Sequence, residues 1–385
     1  MKKIIFVTGS RADYGKIKSL IRRIEDSNFF ELHLFVTGTH NLKEYGCTQK
    51  YFIEDRYKNI HIYDNQANSM DQSLAKTMIG LKNFVSKVQP DLIVVHGDRL
   101  EALAGSIIGS FNNIKVAHIE GGEVSGSIDE SIRHAVTKLS NFHFVSNNEA
   151  LNRVLQLGEK KENIFNIGSP DIDIMLSDSL PTYKTIMENY NLEIYKYAIL
   201  IYHPVTTLNS ELLKEKANCL MNTLSNTDHE YVVILPNNDT GSEIIRNTYS
   251  KFKEEKKFKF YNSVKFEDFL VLLKYCKFII GNSSAGIREA NVYGIPTINI
   301  GNRQKGRYNL KDSNIVTIEE NQTEILKAID KALKIKNKCL RTFGDGKSTE
   351  RFMSILCSDT IWNSKIEKTF SDIPFYNIEE RLTYV

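Results

Sequence analysis

The chain has 385 residues, 41% of them hydrophobic and 25% charged, the balance of an ordinary globular protein long enough for two domains that each bury a core. Its formal charge of +3, from 50 basic and 47 acidic side chains, leaves no footprint for a nucleic-acid or membrane-surface partner. Five cysteines, an odd number with no C-x-x-C, speak against a disulfide framework or zinc ribbon and for reduced thiols in the cytoplasm.

The first apolar run stops at Thr8, with Arg11 and Asp13 soon after, too short for the core of a signal peptide. No run reaches the roughly 18 apolar residues of a membrane span. Strand-length apolar stretches then recur at 4–9, 32–38, 91–98, 114–120 and 142–147, and again at 197–204, 231–237, 277–283, 296–302 and 313–318. Most are continuous and rich in Ile and Val, as strands buried on both faces are. Helical segments separate them. In SIDESIRHAVTKLS, Ile128, Ile132, Ala135 and Leu139 fall on one helical face, and Ser127 with Glu130 reads as a capping box. Strand alternating with helix means a doubly wound α/β fold. Residues 168–185, with Pro170 and Pro181, break the rhythm and read as a linker. This gives a first domain at 1–170, a second at 171–364, and a tail at 365–385 expected to pack back on the first.

Ligands of open α/β sheets bind at the carboxyl ends of strands, so the residues just after each strand carry the functional information. In the first domain these are His96, Asp98 and Arg99, then His118, Glu120 and Glu123, with Asp129 at the next helix start. In the second they are His203, then Asn282, Ser283 and Ser284, then Arg303 and Arg307. Acids dominate one wall; hydroxyls and arginines dominate the other. GNSSAGIREA suits phosphate, because glycines admit backbone N–H groups and hydroxyls sit at a helix start; simple capping by the serines is the alternative. The acidic cluster admits three readings: a structural network, a nitrogen–oxygen metal site from His96, Asp98, His118 and Glu120, or paired acid–base catalysis. FGDGKS at 343–348 lacks the first glycine of a phosphate-binding loop, and TGSRADYG is not a dinucleotide fingerprint.

Taken together, VVHGDR, HIEGGEVSGSIDESIRHAVTKLS, HPVTT, PNNDTGS, IGNSSAGIRE and INIGNRQKGR resemble the hydrolysing UDP-N-acetylglucosamine 2-epimerases of the sialic and legionaminic acid pathways. The resemblance runs from SRADYG to FGDGKSTERF. It implies a glycosyltransferase-B-like fold, two Rossmann-like domains with the active site in the cleft between them. It implies that UDP leaves the sugar by elimination across C1–C2, and that water adds to the acetamidoglycal with inversion at C2. No metal or other cofactor is implied. Asp98, Glu120 and Asp129 match the family's catalytic carboxylates, and His203 its catalytic or phosphate-contacting histidine. Arg11, Arg99, Asn237, Ser283, Ser284, Glu289 and Arg303 match nucleotide contacts, with the backbone of Val264 at the uracil; His118 is placed with the substrate-binding set. The partners implied are the UDP-sugar, UDP, and other copies of the chain in a homodimer or homotetramer. The alternatives are the same chemistry on a 2,4-diacetamido-trideoxy sugar, a non-hydrolysing epimerase, and an inactive nucleotide-sugar-binding regulator. Gly15 departs from a serine of the animal enzyme. The helix at 243–253 lacks that enzyme's arginine pair, so feedback by activated sialic acid is expected to be weak or absent.

Overall fold

The computed structural model describes residues 1–43, 46–125, 128–205, 207–236, 240–306, 314–336 and 338–372. Among them are two parallel sheets. The first comprises β1 (Lys2–Thr8), β2 (Phe30–Val36), β3 (Ile60–Ile62), β4 (Leu92–His96), β5 (Lys115–Ile119), β6 (Phe142–Val145) and β7 (Ile164–Asn166), in the order 3-2-1-4-5-6-7. The second comprises β8 (Tyr197–Ile201), β9 (Glu230–Ile234), β10 (Phe258–Tyr261), β11 (Ile279–Gly281), β12 (Thr297–Ile300) and β13 (Ile315–Ile318), in the order 10-9-8-11-12-13. Both reverse direction beside their first strand, at β1/β4 and β8/β11, and such a reversal opens a crevice at the strand ends.

The unbroken apolar runs have a simple cause. On β1, Ile4 and Phe6 enter one core and Ile5 and Val7 another, on opposite sheet faces. On β8, Ile199 and Ile201 separate from Ala198 and Leu200 in the same way. Helices cover both faces, so neither alternate set can be polar. Each Val, Leu, Ile or Phe among them, fully buried, contributes about 1.5–3 kcal/mol. The strands missed in the sequence, β3 (IHI), β7 (IFN) and β10 (FKFY), are all sheet edges, where polar residues break the run.

Two sequence expectations need correction here. The helix after β5, α5 (Ile128–Leu139), buries Arg133, Val136 and Thr137, while Ile128 is 55% exposed and Ala135 is exposed. The face is turned because Arg133 must reach inward; Ser127 of the expected cap lies outside the described residues. Secondly, the return to the first lobe starts well before residue 365. Helices α14 (Ser348–Leu356) and α15 (Asp359–Trp362) place Phe352, Met353, Leu356 and Ile361 in the first-lobe core.

The chain crosses between lobes near residues 168–170 and again near 343–348. The crossings touch: Ser169 N donates to Phe343 O at 2.7 Å, and a Cβ on Gly168 would lie 3.1 Å from Gly344 Cα. Both glycines have positive φ, +83° and +149°, so the contact requires them on two counts. FGDGKS thus forms the return crossing. The expected linker holds the short helix α7 (Pro170–Met175) and the start of α8 (Tyr183–Tyr190).

Candidate active site

The strand ends of both sheets face one interlobe cleft with two compartments. Ala12, Lys16 and Ser284 line both, so the two are continuous. The larger, of about 940 Å³, takes Asp98, Arg99, Glu120 and Asp129 from the first lobe and Ser284, Arg288 and Arg303 from the second. The smaller, of about 670 Å³, takes Arg11 from the first lobe and His203, Val264, Ser283, Ser284 and Glu289 from the second.

Helix α1 (Arg11–Glu25) brings Arg11, Asp13 and Lys16 to the cleft. Its N-cap, Ser10, accepts from Asp13 N at 3.2 Å, which sets where the helix begins. Arg11 reaches across and donates to the Val264 carbonyl. Burial lowers its pKa to about 10, with Tyr51 and Tyr190 opposing. A guanidinium in that setting is a receptor for an anion.

Asp98 follows β4 and accepts a hydrogen bond from Arg133, which also donates to Glu123 O at 3.0 Å. Glu120 follows β5 with φ +65°, an uncommon conformation for a non-glycine residue and one that turns its carboxylate toward the cleft. Four groups surround it. Arg288 of the second lobe and Ser169 of the first crossing approach Oε1 at 2.5 and 2.8 Å. His96 Nε2 and Lys16 approach Oε2 at 3.4 and 3.5 Å. Burial alone would raise the Glu120 pKa; Arg288, Lys16 and His96 outweigh it and hold the carboxyl well below its usual range. Arg288 also pairs with Glu123 at 2.5 Å and stacks over the Phe343 ring, 4.7 Å from its centroid. One buried guanidinium therefore joins both lobes and the return crossing.

The second-lobe loops are held in register by a reciprocal pair. His203 N donates to Asn282 Oδ1 at 2.7 Å, and Asn282 Nδ2 donates to His203 O at 2.8 Å. Arg303 and Gln304 donate to Asn282 O at 3.3 and 2.9 Å. Ser283 accepts from Ala285 N at 3.3 Å, so it caps as well as lining the cleft. The expected helix after it is instead a single 3-10 turn (Ser284–Gly286) followed by five-residue α12 (Glu289–Tyr293). That shortens the dipole available to an anion and leaves hydroxyls and arginines as the main donors. Glu289 is buried, which raises its pKa, and its Oε2 has no hydrogen-bond partner among the described residues. A hydroxyl-rich ligand would satisfy it.

His118 is not brought to the cleft. It is 0% exposed, with Nε2 2.8 Å from Gly97 O and Nδ1 3.1 Å from Thr137 Oγ1, and burial pushes its pKa down to about 3. It braces the turn that carries Asp98. Of the four donors a nitrogen–oxygen metal site would need, His96 and Glu120 approach each other, but Asp98 turns to Arg133 and His118 to Gly97. Among the described residues no group of three or more His, Cys, Asp or Glu side chains is placed to hold a metal ion. Asn237 and Arg307 lie outside the described residues. The sequence reading missed Asp13, Lys16 and Arg288 as cleft groups, and Ser169 as the buried hydroxyl that holds Glu120. For Arg288 a signal existed, a lone arginine inside IGNSSAGIRE whose partner lies on the other lobe.

Gly15, the departure noted in the sequence, lies against Phe266 of α11 (Phe266–Lys274). A Cβ there would sit 2.6 Å from Phe266 Cγ, so close lobe contact requires glycine.

Two Rossmann-like sheets around an interlobe cleft, with acids on one wall and hydroxyls and arginines on the other, define the glycosyltransferase-B-like fold class. The superposed structure of a Methanocaldococcus jannaschii UDP-N-acetylglucosamine 2-epimerase, solved with UDP-N-acetylglucosamine and UDP, has a TM-score of 0.80 at 25% identity over 92% of this chain and 99% of that one. Residues 22–357 match the family described as UDP-N-acetylglucosamine 2-epimerase, and the chain belongs to that family. A UDP-N-acetylglucosamine 2-epimerase of Neisseria meningitidis serogroup B is 41% identical over 97% of this chain and 100% of its own length. A polysialic acid biosynthesis protein P7 of Escherichia coli is 35% identical over 86% of each. Among the described residues no helix is long and apolar enough to cross a membrane.

Proposed function

We propose that the protein is a hydrolysing epimerase that converts UDP-N-acetylglucosamine and water to UDP and N-acetylmannosamine for sialic acid synthesis. One observation carries this reading: a carboxylate compartment and an anion-receiving compartment run into each other across Ala12, Lys16 and Ser284. A substrate with a sugar on one side of a diphosphate and a nucleoside on the other fits that division. Uracil lies at the Val264 backbone, ribose at Glu289, and the diphosphate among Arg11, His203, Ser283 and Ser284. The sugar lies between Asp98, Glu120 and Asp129, with Arg99 and Arg303 flanking it.

In elimination, one carboxylate takes the C2 proton. The C–H electron pair becomes the C1=C2 bond, and the C1–O pair leaves with UDP. In hydration, C2 receives a proton on the opposite face and C1 receives the oxygen of water. The C2 proton is only weakly acidic, so preorganised charge around the departing diphosphate supplies much of the rate.

The sugar compartment also speaks to the choice of sugar. Ala12 and Gly97 are its only apolar lining residues among those described; the rest carry hydroxyl, amide or charged groups. Such a wall suits a hexose that keeps its 4- and 6-hydroxyls better than a 6-deoxy sugar with a second acetamido group, whose methyls need apolar contact. The 35% identity to a protein named for polysialic acid synthesis agrees in pathway. Incubation with UDP-N-acetylglucosamine, followed by NMR, is expected to show UDP and free N-acetylmannosamine. Release of UDP-N-acetylmannosamine would make the enzyme non-hydrolysing, turnover only of the diacetamido substrate would move the sugar assignment, and tight UDP binding without turnover would make it a regulator.

A further inference from the structure

Glu120 faces a difficulty in the hydration half of the reaction. The cations around it, Arg288, Lys16 and His96, keep it ionised, yet C2 must receive a proton. The structure offers a supply. His96 ends β4 with each ring nitrogen facing an acid. Nδ1 lies 2.8 Å from Asp13 Oδ1, while Nε2 lies 3.4 Å from Glu120 Oε2. Asp13 also accepts from Gly9 N at 3.0 Å, so its carboxylate cannot swing away. A carboxylate only accepts, so Nδ1 must carry its proton and Nε2 is left facing Glu120. The ring is 8% exposed, and Nε2 has no formed hydrogen bond among the described residues; 3.4 Å is an ion-pair distance that a small shift would close.

We infer that His96, oriented by Asp13, is the proton relay that recharges Glu120 for the hydration step. This rests on the epimerase reading above. The His96 Nε2–H bond breaks and its proton passes to Glu120, which as a neutral acid delivers it to C2 and becomes a carboxylate again. The proton released when water forms its bond to C1 returns to Nε2, so the pair ends as it began. His96 acts through Glu120 and is a positioning residue in this sense. The titratable groups around it are Asp13 from α1, Glu120, and the uncharged His118 from β5, while Lys16 from α1 and Arg288 across the cleft hold Glu120 itself. Burial lowers the His96 pKa, but Glu120 and Asp13 outweigh that and raise it to about 9. The ring is therefore loaded at neutral pH and empties as pH rises through about 9.

The test feeds the intact protein with UDP-N-acetylglucosamine and, separately, with the 2-acetamidoglycal, which needs hydration alone. His96→Gln is expected to hydrate the glycal ~100-fold more slowly. It should release glycal beside UDP from the nucleotide sugar, and lose the alkaline limb of the pH–rate profile near pH 9. UDP affinity within threefold of the unaltered protein checks the fold. Asp13→Asn keeps the shape but not the charge, so its alkaline limb should move to lower pH. Glycal hydration by His96→Gln within threefold of the unaltered protein, with the same alkaline limb, overturns the relay. Should His96→Gln not fold, an unmoved limb in Asp13→Asn overturns it instead. If the unaltered protein acts on neither compound, the epimerase reading falls and the relay with it; if it acts on both, only the relay is in question.

Discussion

The two lobes share a strand order yet load their strand ends differently. In the first, the loops after β4 and β5 carry carboxylates, each held by a cation from elsewhere: Asp98 by Arg133, Glu120 by Arg288, Lys16 and His96. In the second, the loops after β8, β11 and β12 carry amides, hydroxyls and arginines locked together through Asn282. On the proposed reading, one wall keeps charge for proton movement and the other keeps donors fixed for an anion. A single fold serves both because it fixes where the strands end, while the loop residues are chosen independently.

The sharpest way to break this division is Glu120→Gln. We expect turnover to fall by ~10³-fold or more while UDP affinity, read by calorimetry, stays near that of the unaltered protein. Equal loss of both would mean the walls do not divide the work. Next is Arg288→Met, which leaves Glu120 and Glu123 buried without their partner. It should cost about 3–5 kcal/mol in denaturant unfolding. Gly15→Ser tests lobe contact: the clash with Phe266 should cost about 1–3 kcal/mol, and adding Phe266→Ala should recover part of it. Ser283→Ala should weaken UDP binding only about 3–10-fold, one hydrogen bond's worth, with little change in glycal hydration. The smallest effect concerns His118. Its folded pKa lies below the unfolded value of 6.5, so the unfolded chain takes up the proton first as pH falls. The stability it contributes is full above about pH 6.5 and is lost progressively toward pH 3. His118→Asn should therefore show a shallower loss of Tm over that window.

How much of this was legible beforehand follows from where each residue sits. Strands inside the sheets announce themselves because both faces are covered, whereas β3, β7 and β10 at the edges mix apolar and polar residues and read as loop. Loop acids such as Asp98 and Glu120 stand out by position after a strand. Asp13 and Lys16 do not, since their partners come from other elements and only the packed fold joins them. The face of α5 misled because a helix that delivers Arg133 to a buried carboxylate must sacrifice apolar burial. His118 misled for a related reason: a histidine in the strand beside the site is as useful for bracing a turn as for meeting a ligand.

The return of α14 and α15 has a consequence for biosynthesis. Residues 172–343 form an uninterrupted stretch that can condense as soon as it leaves the ribosome. The amino-terminal lobe emerges earlier but lacks Phe352, Met353, Leu356 and Ile361, so its interior stays incomplete until translation has passed them. The half made first is therefore the half finished last, and a chain stalled before residue 350 would expose the hydrophobic lining of its older portion to chaperones.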